Sequence, residues 1–74
     1  MKATEAIRIV MKECEVGVSK LANRLNIIQP LVSQRLQQQN ISVKLLSEML
    51  RVLDYKVVVM PSDSPTPKDG IEVE

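Results

Sequence analysis

The sequence predicts a small all-α bundle of about four helices, followed by a single C-terminal β-strand. Three observations lead there. Apolar residues recur at three- and four-residue spacing in four separate segments between Thr4 and Leu53. Breaks near Gly17, Asn26 and Gln39–Ile41 separate those segments. The period then changes at Tyr55–Met60, YKVVVM, a β-branched apolar run that reads as a strand.

Thr4 is the expected N-cap of the first helix, because its hydroxyl can accept from free amides of the first turn. Ile7, Val10, Met11 and Cys14 form the inner stripe, and the helix should end near Cys14. Gly17 marks the break, and Val16 can staple against the next helix. The second helix should run from about Val18 to Leu25, with Leu21, Ala22 and Leu25 inward. The small Ala22 lets two helix backbones approach closely. Asn26 tolerates the left-handed conformation of a sharp helix exit.

The third helix should cover about Gln29 to Gln38, with Pro30 in its first turn, where a missing N–H costs nothing. Val32 and Leu36 stack on one side, with Ile28 expected beside them. Pro30, Ser33, Gln34 and Gln37 fall on the other side, and Gln29 lies at the N-terminal flank. After a loop at Gln39–Ile41, Ser42 is the expected N-cap of a fourth helix, about Val43 to Leu53. Leu45, Leu46, Met49, Leu50 and Leu53 form its core stripe.

A lone strand at Tyr55–Met60 cannot satisfy its own backbone. The economical partner is the same strand of a second copy, so Tyr55, Val57, Val58 and Val59 are expected at a homodimer interface. Residues 1–60 then make one domain with a dimerisation strand. Residues 61–74 hold three of the four prolines and little to bury, and are expected to be a disordered tail.

Composition narrows the function. One cysteine and no histidine exclude an intrachain disulfide and a Cys/His zinc site. No apolar run approaches the ~20 residues of a membrane span, and the charged start is unlike a secretory signal, so a cytoplasmic protein is expected. No nucleophile–base pair, phosphate loop or paired carboxylates can be assembled, which argues against an enzyme, and no cofactor or small-molecule effector is implied. Net charge is only +1, but its distribution is uneven. Val16 to Ser47 contains no Asp or Glu, and residues 1–60 carry nine basic against five acidic side chains, a balance of +4. Phosphate binding needs such a local patch rather than a basic total.

Val18–Gln37, VSKLANRLNIIQPLVSQRLQ, resembles the helix-turn-helix of bacterial and phage repressors of the Cro/cI (XRE) class. Leu21-Ala22, the spacing to Leu25, the turn at Asn26 and Ile27 carry the first helix and turn. Ile28–Leu36 resembles the recognition-helix phrase. The last helix, Leu53-Asp54-Tyr55 and the Val-rich run look like the class's C-terminal half. The likeness covers residues 4–60. Departures are Asn26 and Asp54 where the class usually has Gly, Val18 where many members have a phosphate-binding Gln, and Arg35 at a usually apolar position.

The resemblance implies a double-stranded DNA-binding regulator, a repressor acting as a homodimer on an inverted repeat. Gln29, Ser33 and Gln34 are the expected base readers, since Gln matches the N6/N7 edge of adenine and Ser reaches several base edges. Pro30 could meet a thymine methyl. Lys20, Arg24, Arg35 and Lys44 are candidate phosphate contacts, with Gln37 and Gln38 as further donors. The single-strand modes rely on aromatic stacking, and Tyr55 is the only aromatic residue. Two alternatives stay open. One is an antitoxin that binds DNA and a toxin-like protein partner. The other is a phage-type inhibitor that keeps the shape as a pure interaction module.

Overall fold

Four helices form in the computed structural model, which describes residues 1–73: α1 (Ala3–Glu13), α2 (Val18–Leu25), α3 (Gln29–Leu36) and α4 (Val43–Arg51). The architecture is a small all-α bundle. Helix α2 packs on α3, α1 packs on both α3 and α4, and α2 also touches α4. The core takes Ile7, Val10 and Met11 from α1, Leu21 and Ala22 from α2, Val32 and Leu36 from α3, and Leu46, Met49 and Leu50 from α4. Val16 and Leu53, just outside helices, complete it. Val16 and Leu21 stand at the two positions of a hydrophobic staple around the N-cap Gly17.

Three of the helices end alike. At Glu15 (φ 56°), Asn26 (φ 59°) and Asp54 (φ 64°) the chain turns left-handed without glycine. In each case the next amide reaches back five residues: Val16 to the Met11 carbonyl at 2.9 Å, Ile27 to Ala22 at 3.0 Å, and Tyr55 to Leu50 at 2.9 Å. The left-handed residue's own amide bonds three residues back, to Lys12, Asn23 and Arg51. This is the Schellman closure, which satisfies carbonyls that a helix end leaves orphaned. Asn26 and Asp54 therefore do what a glycine would do there. Gly17, expected at the first break, is an extended N-cap (φ −85°, ψ 179°), and Glu15 makes the turn. Left-handed geometry costs an L-residue about 1–2 kcal/mol, while glycine loses about 0.5–1 kcal/mol more in backbone entropy. Glu15→Gly should accordingly stabilise the fold by up to about 1 kcal/mol. A thermal melt with an unchanged or lowered midpoint would contradict that reading of the turn.

Four expectations need correction. Thr4 is not an N-cap: α1 starts two residues earlier than that cap would place it, with Lys2 as its cap residue, and Thr4 is 6% exposed inside the helix. Ile28 does not join Val32 and Leu36; it is the N-cap residue of α3, with extended backbone (φ −80°, ψ 151°), and is 69% exposed. A 100° wheel does not apply to a residue outside the helix. Helices α3 and α4 each stop two residues early, at Leu36 and Arg51. Finally, Tyr55–Met60 forms no strand in the single chain, and there is no strand among the described residues. A strand requires a ladder partner, and the sequence offers only one such run. Ser42 does cap α4: its Oγ accepts from the Leu45 amide at 3.2 Å.

Residues 61–73 carry turns but no helix, and Ile71 packs against the core. Glu74 lies outside the described residues. No helix among the described residues is long and apolar enough to cross a membrane.

Candidate functional site

Helix α3 is two turns long and carries its polar residues on one side. At 3.6 residues per turn, Gln29, Pro30, Ser33, Gln34 and Gln37 span an arc of about 140°. Gln29, Pro30 and Gln34 are exposed, as is Gln37 just past the helix; Ser33, within the row, is half-buried. Val32 and Leu36 are buried on the other side. The row is presented by the Schellman turn at Asn26 and by the close α2–α3 packing that Ala22 permits, at 2% exposure. Ser19, Asn23, Ile28, Gln29 and Pro30 line a shallow open cleft where α3 begins beside α2.

The far end of α3 is fixed differently from the other helix ends. No left-handed residue closes it; Gln37 stays right-handed. Its carbonyls are met from α1 instead. Arg8 Nη2 donates to the Leu36 carbonyl at 3.2 Å, and the buried Thr4 Oγ1 donates to the Gln38 carbonyl at 3.2 Å. A cation at a helix C-terminus also opposes the negative end of the helix dipole. Sequence patterning assigned neither role. Both depend on contacts across 28 and 34 residues, which no local spacing encodes.

Compared with protein-family models, curated proteins and solved structures, the chain matches none.

The expected phosphate donors divide into three groups. Lys20, Gln37, Gln38 and Lys44 are exposed. Arg35 is half-buried. Arg24 is exposed, and its Nη1 donates to the Val52 carbonyl at 3.2 Å, tying the end of α2 to the end of α4. That intramolecular bond competes with any contact Arg24 makes to a ligand. The exposed Ile28, missed by helical periodicity, adds an apolar group at the start of α3, and Asn23 adds an exposed amide on α2.

Away from α3, Tyr55 locks the segment after α4 onto α1. Its hydroxyl donates to Glu13 Oε2 at 3.1 Å, and its half-buried ring packs against the core. The hydrogen bond to the Glu13 carboxylate, followed by burial, raises the phenol above its ordinary value of 10.0. Because the folded state holds this proton more tightly, its contribution to stability is complete below the unfolded pKa. It is lost as pH rises through the folded value. Tyr55 is the only aromatic residue, so phenolate absorbance reports on it alone. The titration midpoint should lie above 10.0 in the folded chain and fall back toward it in Glu13→Gln. Equal midpoints in the two proteins would contradict the bond.

Proposed function

We propose that this chain is a sequence-specific double-stranded DNA-binding regulator of the Cro/cI type, with α3 entering the major groove. One observation carries the reading. The polar face of α3 offers neutral hydrogen-bonding groups, the exposed Gln29 and Gln34 with the half-buried Ser33 between them, in a stretch of chain free of carboxylates. Base edges present paired donors and acceptors that the Gln amide matches in one plane. Pro30 and Ile28 at the same end suit thymine methyl groups. Lys20 and Lys44, with Gln37 and Gln38, supply donors for the backbone, and phosphate contacts fix register rather than sequence.

A helix of two turns reads only a few base pairs, so a second copy is needed for useful specificity. The run Tyr55, Val57, Val58 and Val59 is the pairing element in this reading. Val59 is 96% exposed in the single chain, an apolar side chain without cover. Antiparallel pairing of these residues across a two-fold axis would bond the facing edge of each backbone and bring Val59 against apolar residues of the partner run. The two α3 helices then stand about 34 Å apart, one turn of B-DNA, on an inverted repeat. Occupying a promoter is the simplest consequence, hence repression.

Selection of bound sequences from random duplex DNA tests the proposal. Enrichment of an inverted repeat is expected, with affinity for the winner falling steeply as salt rises. Failure to enrich any motif would leave the helix pair as an interaction module without DNA.

A further inference from the structure

One element holds both the polar face of α3 and the start of the run 55–60. Among the described residues, α3 packs on α1 and α2 and not on α4, the helix that leads into the run. Helix α2 fixes the start of α3 through the Asn26 turn, and reaches α4 through the Arg24–Val52 bond. Helix α1 fixes the end of α3. The Thr4 hydroxyl donates to the Gln38 carbonyl and Arg8 Nη2 to the Leu36 carbonyl, each at 3.2 Å. These bonds matter because α3 has only eight residues and no left-handed closure, and a helix that short is marginal by itself. At its other end α1 holds the run: Glu13 Oε2 accepts from the Tyr55 hydroxyl at 3.1 Å, and α1 packs along α4. Thr4 and Glu13 lie about 14 Å apart along the helix axis and roughly 180° apart around it. Arg8, one turn on from Thr4, shares the Thr4 flank. Helix α1 is thus a bar gripped on one flank by the end of α3 and, at its far end, on the other flank by the residue that opens the run.

We propose that α1 is the spacer that sets the separation and angle of the two α3 helices in the dimer, with Thr4, Arg8 and Glu13 as positioning residues that decide which half-site spacing is bound. The inference rests on the homodimer reading above. In that reading the two-fold axis passes through the paired runs, so each α3 is placed relative to the axis by the path from run to α1 to α3. One base pair more between half-sites moves the second half-site by about 3.4 Å and turns it by about 35°. A rigid path tolerates neither change. A path loosened at one end lets α3 follow the shifted groove. The bases within a half-site are met by Gln29, Ser33 and Gln34, which keep their places on α3 in either case. Spacing preference and base preference are then carried by different residues.

Equilibrium binding to a family of duplexes tests the spacer. The family holds the selected inverted repeat, repeats with one or two base pairs added or removed between half-sites, and a repeat with one base changed in each half-site. The proteins are full-length wild type, Thr4→Val, Thr4→Val combined with Arg8→Met, Glu13→Ala and the conservative Thr4→Ser. Far-UV circular dichroism checks that each keeps its helices. Glu13 is exposed, so E13A tests the far end of the bar without disturbing the core should the buried T4V unfold. Wild type should bind one spacing best. The ratio of best to shifted spacing should fall roughly two- to tenfold in T4V, the double variant and E13A, the worth of one hydrogen bond. The penalty for the changed base should stay as in wild type, and T4S should keep the wild-type ratio. A wild-type spacing preference in the folded variants overturns the spacer. So does an equal loss on every spacing, the mark of residues that only stabilise the fold. A wild type that binds as a monomer, indifferent to spacing, overturns the homodimer reading itself, a distinct failure.

Discussion

Leu21→Ala should remove about 2–5 kcal/mol of stability, out of a total of roughly 4–11 kcal/mol for a chain of this length. Leu21 has no exposed surface. It stands one turn into α2, in the same core cluster as Val16, Val32 and Leu36. Truncation removes apolar burial and leaves a cavity that eight-residue helices cannot close without moving. A bundle this small has little reserve, since it buries only roughly 60% of its unfolded surface. Urea unfolding followed by helix signal measures the loss. A loss under about 1 kcal/mol would be out of line with a close-packed site. Binding activity should fall in step with the folded fraction, because Leu21 touches the site only by holding α2 against α3.

Gln34→Ala should act in the opposite way. Gln34 is exposed, so the fold should be untouched. Binding to the selected DNA should weaken by about 1–3 kcal/mol, or roughly 5- to 150-fold, with the base preference relaxed at one position in each half-site. Binding to random duplex should stay as in wild type, since phosphate contacts carry that affinity. An equal loss on both DNAs would make Gln34 a backbone contact, and no loss on either would make it a bystander. Lys44→Ala is the complementary comparison, expected to weaken both alike and to flatten the salt dependence.

Local chemistry made much of the fold legible. The spacing of Leu21, Ala22 and Leu25, the Asn26 turn, Pro30 at the start of α3 and the Ser42 cap each announce themselves within a few residues. Their elements begin where these signals put them, although α3 and α4 each stop two residues early. What local reading missed depends on distance along the chain. Thr4 looks like a cap because caps are short polar residues near a helix start. Its partner, the Gln38 carbonyl, is visible only once α1 and α3 are packed. Arg8 and Arg24 look like solvated cations for the same reason, although each closes a helix end. Glu15 carries no local signal, because glycine is the usual mark of a left-handed turn, and here Met11 and Val16 close the turn through backbone bonds. The run 55–60 shows the limit most plainly: β-branched composition expresses a capacity to pair, and the pairing itself belongs to whatever lies opposite.

The candidate site divides along the same line. Exposure of Gln29, Pro30 and Gln34 follows from helical spacing alone. The tethering of α3 by α1, and the diversion of Arg24 to Val52, follow from tertiary contacts. The proposed base readers are therefore residues whose placement is local, held by residues whose role is not.

Backbone amide chemical shifts on titration with the selected duplex DNA test the central proposal most directly. The expected result is a continuous perturbed surface over α2, the Asn26 turn and α3, extending to Lys44, with the α1–α4 groove and Ile71 shifting only through dimerisation. Perturbation confined to the α1–α4 side, or no saturable shift on α3, would contradict it.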